Sequence, residues 1–202
     1  DRDIWRELQR SAVPFGVFLI VLNLYSYVDS VMLGVMRGDA ETGLYGAAYK
    51  VYEGVGYLPS ILASVLTPRL SRLFVTDRAG HRRLVVGALV ASLALALVVA
   101  ACGYWLAEPA MSLLFGAGFL PAAAPFRVLC LGLVFVFAIW TLHATAISAN
   151  KERLLVRAAL VGLCVNVMVN AYLIPRHGAH GAAIATVVGE FVSLVVLVIG
   201  LV

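Results

Sequence analysis

Six runs of mostly apolar residues follow one another along the chain, over residues 12–36, 44–68, 84–107, 122–149, 154–174 and 181–202. Each is long enough to cross a hydrocarbon core, which takes about 20 residues of helix. Stretches such as Leu93 to Cys102 are apolar without alternation, which fits helices and not barrel strands of alternating polarity. The pattern therefore predicts an all-α integral membrane protein, with residues 1–202 forming a single bundle of six transmembrane helices. Ahead of the first run, Ile4, Trp5 and Leu8 stand at helical spacing among charges. That fits a segment lying along the membrane interface before Pro14 opens the first span, or a plain soluble linker.

Composition agrees with the pattern. The 202 residues are 62% hydrophobic and 13% charged, against about 45–50% and about 25% in soluble domains. A formal net charge of +4 comes without a basic patch interleaved with aromatics, so nucleic acid is not expected as a partner. Cys102, Cys130 and Cys164 all lie within apolar runs, where cysteine acts as a small hydrophobe, and neither a disulfide framework nor a CxxC metal site is present. The polar opening from Asp1 to Gln9 is unlike a cleavable signal. Because position 1 is Asp, the chain is expected to be part of a longer protein.

Arginine and lysine set the expected orientation. Arg2, Arg6, Arg10, Arg69, Arg72, Arg78, Arg82, Arg83, Lys151, Arg153 and Arg157 fall on one side of the predicted membrane, whereas Arg37 and Arg176 fall on the other. Eleven against two places both termini in the cytoplasm.

The charges inside the spans carry the candidate chemistry. A charge at helix centre costs about 2.5–3.5 kcal/mol on insertion scales, so those that persist generally face a bundle interior or a water-filled cavity. Counted inward from the outer span ends, Asp29, Lys50, Arg127 and Asn170 come out roughly 8–9 Å deep, and Glu53, Asn166 and Glu190 roughly 13 Å deep. Two polar layers are thus expected. The short connection from Arg37 to Gly43 makes the first two spans antiparallel neighbours, and predicts a salt bridge between Asp29 and Lys50. Lys50 and Glu53, three apart, are also placed to meet. Five charges on four spans exceed what packing needs and favour a hydrated cavity. Asn166 and Asn170 also fit interhelical hydrogen bonding.

Other features read as structure. Ala88, Ser92, Ala96 and Ala100, like Gly56, Ser60 and Ser64, repeat a small residue every fourth position and predict close helix packing. His177 and His180 have no Cys or carboxylate beside them, so no metal site is expected. His143 fits a hydrogen-bonded position in the bundle or a proton relay. The turn at Gly178 and Gly181 is not a phosphate loop. With no GxSxG, no HExxH and no Ser, His, Asp set, an enzyme is not expected.

Three segments carry a resemblance. YVDSVMLGVMRGDAETGLYGAAYKVYEGVGYLPSILASVLTP, from Tyr27 to Pro68, resembles the start of the C-terminal half of oligosaccharide flippases in the multidrug/oligosaccharidyl-lipid/polysaccharide exporter superfamily. LLFGAGFLPAA, from Leu113 to Ala123, resembles that family's turn after the third span of the half. NVMVNAYLIPRHGAHGAAIATVVGEF, from Asn166 to Phe191, is similar to its last two spans.

The resemblance implies one half-bundle of a 12–14-helix transporter in the cell (inner) membrane, the other six-helix half being its partner. Such proteins move polyprenyl-pyrophosphate-linked oligosaccharide across the bilayer by alternating access, for cell-surface polysaccharides such as O-antigen. Carried onto this chain, Asp29, Lys50, Glu53 and Glu190 fall in matched motifs, and Arg127 follows one closely. An anionic headgroup needs cations, so Lys50 and Arg127 are the candidate substrate contacts. Asp29, Glu53 and Glu190 are candidates for coupling to Na⁺ or H⁺, with Asn166 and Asn170 as polar residues of the cavity. No other cofactor is expected. Two alternatives stand beside this reading: a multidrug and toxin extrusion type cation antiporter, and a non-transporting membrane subunit of a polysaccharide assembly complex.

Overall fold

A computed structural model describes residues 26–201. Within them the chain is helical throughout, with no strand: α1 over residues 26–37, α2 Asp39–Thr76, α3 Arg78–Trp105, α4 Ala107–Phe115, a 3₁₀ turn Ala117–Ala122, α5 Ala123–Ser148 and α6 Glu152–Leu201. The predicted interfacial segment and the stretch 12–25 of the first span lie outside the described residues. By length and apolarity, α3, the run from Ala117 to Ser148, and α6 are each able to cross a membrane.

The helix ends are built from local chemistry. Asp39 and Glu41 in the first turn of α2 complement the positive end of its dipole. Asp77 caps α3 by accepting from the Gly80 amide at 2.9 Å. Asn150, at φ 55°, takes the left-handed conformation that closes α5, and the Lys151 amide then reaches back to the Ala146 carbonyl at 2.9 Å. α2 runs through Pro59 and Pro68, eight residues beyond the predicted span. Hydroxyls of Ser60, Ser64 and Thr67 bond carbonyls one turn back along this stretch, as membrane helices containing proline permit.

A straight helix of 50 residues would be about 75 Å long, more than twice the bilayer core. α6 instead folds back on itself at Gly178 (φ 52°, ψ −133°). The two arms run antiparallel: Ser193 Oγ donates to the Ala158 carbonyl at 3.1 Å, and Lys151 Nζ to the Gly200 carbonyl at 2.9 Å. Glu41 on α2 fastens the bend, its Oε2 accepting from the Ala179 amide at 2.8 Å. A side chain at 178 would be strained by the positive φ and would run into that carboxylate. Gly178→Ala is therefore expected to destabilise the intact protein by about 1–2 kcal/mol, read as a fall in Tm in detergent. Gly87→Ala, on an exposed helical site open on all sides, should leave Tm unchanged or raise it.

α5 occupies the centre and packs against α2, α3 and α6. It is apolar nearly all round, as a fully surrounded helix must be; Phe126, Leu129, Leu133 and Phe137 are buried against Leu33, Tyr45, Tyr52 and Ile174. α3 is peripheral and offers Val86, Val90, Leu97 and Val98 outward. Of its small-residue stripe, Ser92, Ala96 and Ala100 are buried as expected, with Ser92 hydrogen-bonded to Thr141 of α5 at 2.9 Å. The matching stripe on α2 departs from expectation: Gly56 borders a cavity and Ser64 is exposed. Arg69, Arg72, Arg78, Arg82, Arg83 and Lys151 gather at one end of the bundle, tied there by a 3.0 Å contact between His81 Nε2 and Ser148 Oγ.

Candidate functional site: a buried polar cluster and an acidic cavity

The most buried carboxylate among the described residues is Asp29, 1% exposed on α1. Tyr45 of α2 and Thr186 of the second α6 arm both donate to its Oδ2, at 2.8 and 2.7 Å, and their hydroxyls stand 2.9 Å apart. Asn170, on the first α6 arm, donates to Asp29 Oδ1 at 2.5 Å and to Asn166 Oδ1 at 3.0 Å. Three helices thus converge on one carboxylate, and every partner is neutral. The Asn170 Oδ1 atom is buried with no hydrogen-bond partner.

The predicted salt bridge between Asp29 and Lys50 does not form. Five residues of helix separate Tyr45 from Lys50, a rotation of about 140°, so the face that brings Tyr45 to Asp29 carries Lys50 away. Lys50 is exposed, and it makes no ion pair with Glu53 among the described residues. Below it on the same outward face stand Tyr57, Ile61 and Val65, exposed by 60%, 59% and 72%.

Beneath the Asp29 cluster lies a cavity of about 300 Å³ between α2, α5 and both arms of α6. Glu53 and Glu190 line it with Tyr49, Tyr52, Tyr57 and Trp140. Glu190, 6% exposed, accepts from the Tyr52 hydroxyl, while its Oε2 is buried and unpartnered. Gly132 of α5 makes room for that carboxylate: a Cβ there would stand 2.7 Å from Oε2. His143 also borders the cavity, its ring edge-on to Trp140 at 5.4 Å.

Arg127 lies elsewhere, contrary to its expected place in the outer polar layer of the cavity. Its Nη2 pairs with Glu108 of α4 at 2.9 Å, and its Nε donates to the Tyr104 carbonyl at 3.3 Å. The side chains are 34% and 60% exposed, so the pair joins α4 to α5 at the surface, where such contacts contribute about 0.2–1 kcal/mol. Arg127→Ala is expected to change Tm by no more than that and to leave transport by the intact protein at the wild-type rate.

Of the candidates read from sequence, the structure thus joins Asp29, Asn166 and Asn170 in one cluster, and Glu53 and Glu190 in one cavity. Tyr45, Tyr52 and Thr186 escaped that reading, although each carried a signal. Tyr45, Tyr49 and Tyr52 repeat at the spacing of one helix face, with successive rings 5.6 and 5.7 Å apart. Thr186 stands one turn outward from Glu190, at the depth counted for Asp29. No group of three or more His, Cys, Asp or Glu able to hold a metal occurs among the described residues.

Comparison with known proteins points the same way as these polar clusters in apolar helices. Residues 1–74 match a family model described as polysaccharide biosynthesis protein. Over 192 residues, 92% of this chain and 40% of the relative, the chain is 23% identical to "Probable low-salt glycan biosynthesis flippase Agl15" of Haloferax volcanii. Over 95% of this chain and 48% of the relative it is 20% identical to "Capsular polysaccharide biosynthesis protein CapF" of Staphylococcus aureus. The chain spans less than half the length of these curated relatives. The comparisons support the polysaccharide flippase family read from the sequence. Together with helices apolar and long enough to cross a bilayer, they make this a membrane protein.

Proposed function

We propose that this chain is the six-span half of a flippase that carries lipid-linked oligosaccharide across the cell membrane by alternating access, with both termini in the cytoplasm and a second six-helix half opposite. The two arms of α6 count as separate spans in this reading. The observation that carries it is Lys50: a charge standing exposed on an outward face of α2, within an apolar run. Hydrocarbon does not accept such a group, so that face borders water shared between the two halves. Lys50 there meets the pyrophosphate as a point charge.

The Asp29 cluster is the coupling site in this account. Its carboxylate, two hydroxyls and two amide oxygens form an all-oxygen set, which suits a hard cation, and the buried Asn170 Oδ1 accepts no hydrogen bond from the protein. Na⁺ or H⁺ at Asp29 would be held by α1, α2 and α6 together, so loading the site alters what ties these helices. The protein's work is binding and reorientation, not bond chemistry.

One observation favours a second reading, a cation antiporter: the cavity pairs two carboxylates with aromatic walls, and no Lys or Arg lines it among the described residues. Both readings are tested by reconstituting the intact protein in liposomes with a fluorescent short-chain polyprenyl-diphosphate sugar and measuring its protection from external dithionite. Flipping that exceeds empty liposomes and rises with an ion gradient is the expected result. No flipping, with gradient-driven uptake of tetraphenylphosphonium in its place, would establish the antiporter.

A further inference from the structure

We infer that the cavity beneath Lys50 seats a single sugar ring of the cargo, and that it admits neutral and amino sugars while turning away uronic acids. This rests on the flippase reading and adds to it a basis for choosing among glycans.

The size is the first ground. About 300 Å³ lies at the lower end of small-molecule sites, with room for one ring and not for an oligosaccharide chain. The walls are the second. Tyr57 stands at the mouth, 60% exposed, and Trp140 lies on the wall across from α2. Both offer flat apolar faces with a polar edge, matching a pyranose, whose C–H face is apolar and whose rim is hydroxyls. Glu53 and Glu190 accept hydrogen bonds and, when ionised, donate none, so they suit hydroxyl, amide N–H or ammonium groups.

The charge balance is the third ground. Against two carboxylates the wall offers no Lys or Arg among the described residues, and a single imidazole, His143, turned edge-on to Trp140. Glu190 is fixed in place by the Tyr52 hydroxyl and by the space that Gly132 leaves. A carboxylate brought in on a sugar would meet the like charge of Glu53 with no Lys or Arg on the cavity wall among the described residues to offset it. Position is the fourth. Glu53 follows Lys50 by three residues, about 4.5 Å along the axis of α2, a step that matches a phosphate and the ring attached to it.

The test is binding to the intact protein in nanodiscs, with farnesyl diphosphate, farnesyl-diphosphate N-acetylglucosamine and farnesyl-diphosphate glucuronic acid as probes. The N-acetylglucosamine probe is expected to bind about tenfold or more tightly than farnesyl diphosphate, a gap of 1.4 kcal/mol, and the glucuronic acid probe no more tightly. Trp140→Leu should erase the gain from the sugar and spare farnesyl diphosphate; Tyr57→Leu, at an exposed site, should reduce it even if the first variant fails to fold. The double change Glu53→Gln with Glu190→Gln should let the glucuronic acid probe bind as well as the neutral one.

Equal binding of the two sugar probes to the wild type overturns the proposal, as does a sugar that adds nothing while farnesyl diphosphate still binds at Lys50. The latter leaves the flippase reading standing. If farnesyl diphosphate itself does not bind, that reading falls and the sugar site falls with it. Displacement of no sugar probe, but saturable binding of tetraphenylphosphonium lost in Glu190→Gln, assigns the cavity to organic cations and overturns the sugar site.

Discussion

Replacing Asp29 with alanine is expected to lower the stability of the intact protein by about 3 kcal/mol or more, seen as a marked fall in Tm in detergent. The change removes the acceptor on which three buried donors, Tyr45, Thr186 and Asn170, converge; their contacts with one another and with Asn166 remain, but each hydrogen bond lost to the charged carboxylate costs about 1.5–3 kcal/mol. Asp29→Asn keeps the shape and most of the hydrogen bonds, so it should fold with a loss nearer 1 kcal/mol. The two substitutions separate stability from coupling. A ligand that binds only the folded state raises its stability with concentration, so the wild-type Tm should climb as Na⁺ replaces choline at constant ionic strength. Asp29→Asn should show no such response. A Tm that still tracks the ion in Asp29→Asn would move the coupling site away from this cluster.

Lys50 carries the second large expectation. Lys50→Ala should slow flipping of a lipid-linked sugar by about tenfold to a hundredfold, since a hydrogen bond to a charged group contributes about 1.5–3 kcal/mol. Stability should barely change, because the side chain is exposed and makes no ion pair among the described residues. Lys50→Arg keeps the charge and should retain most of the rate, whereas Lys50→Glu should abolish it. The KM for the lipid-linked sugar, measured in proteoliposomes, should rise in Lys50→Ala. An unchanged KM with a reduced maximal rate would make Lys50 a residue of the conformational step.

The apolar runs made the helices legible because bilayer thickness fixes span length, and counting residues inward recovered height. Asp29 and Asn170, placed at one depth, do meet; Glu53 and Glu190, placed deeper, do share a cavity. What counting cannot supply is direction around the helix. Lys50, expected level with Asp29, stands five residues along α2 beyond Tyr45, which meets Asp29, about 7.5 Å further along the axis, and the turn that aims Tyr45 inward aims Lys50 out. Arg127 went astray for another reason: its partner, Glu108, sits on α4, a nine-residue helix too short to stand out from the end of the third run. A long guanidinium stem readily reaches outward to such a group. The fold-back at Gly178 was legible as a gap between two apolar runs, but its fastening by Glu41 joins residues far apart in sequence and left no local trace.

The most direct test of the central claim is the leaflet distribution of polyprenyl-linked sugars in cells that lack the gene and carry it back as wild type, Lys50→Ala or Arg127→Ala. The account predicts accumulation on the cytoplasmic leaflet without the gene and with Lys50→Ala, and normal export with wild type and Arg127→Ala. An even distribution in the gene's absence, with raised sensitivity to organic cations, would contradict it.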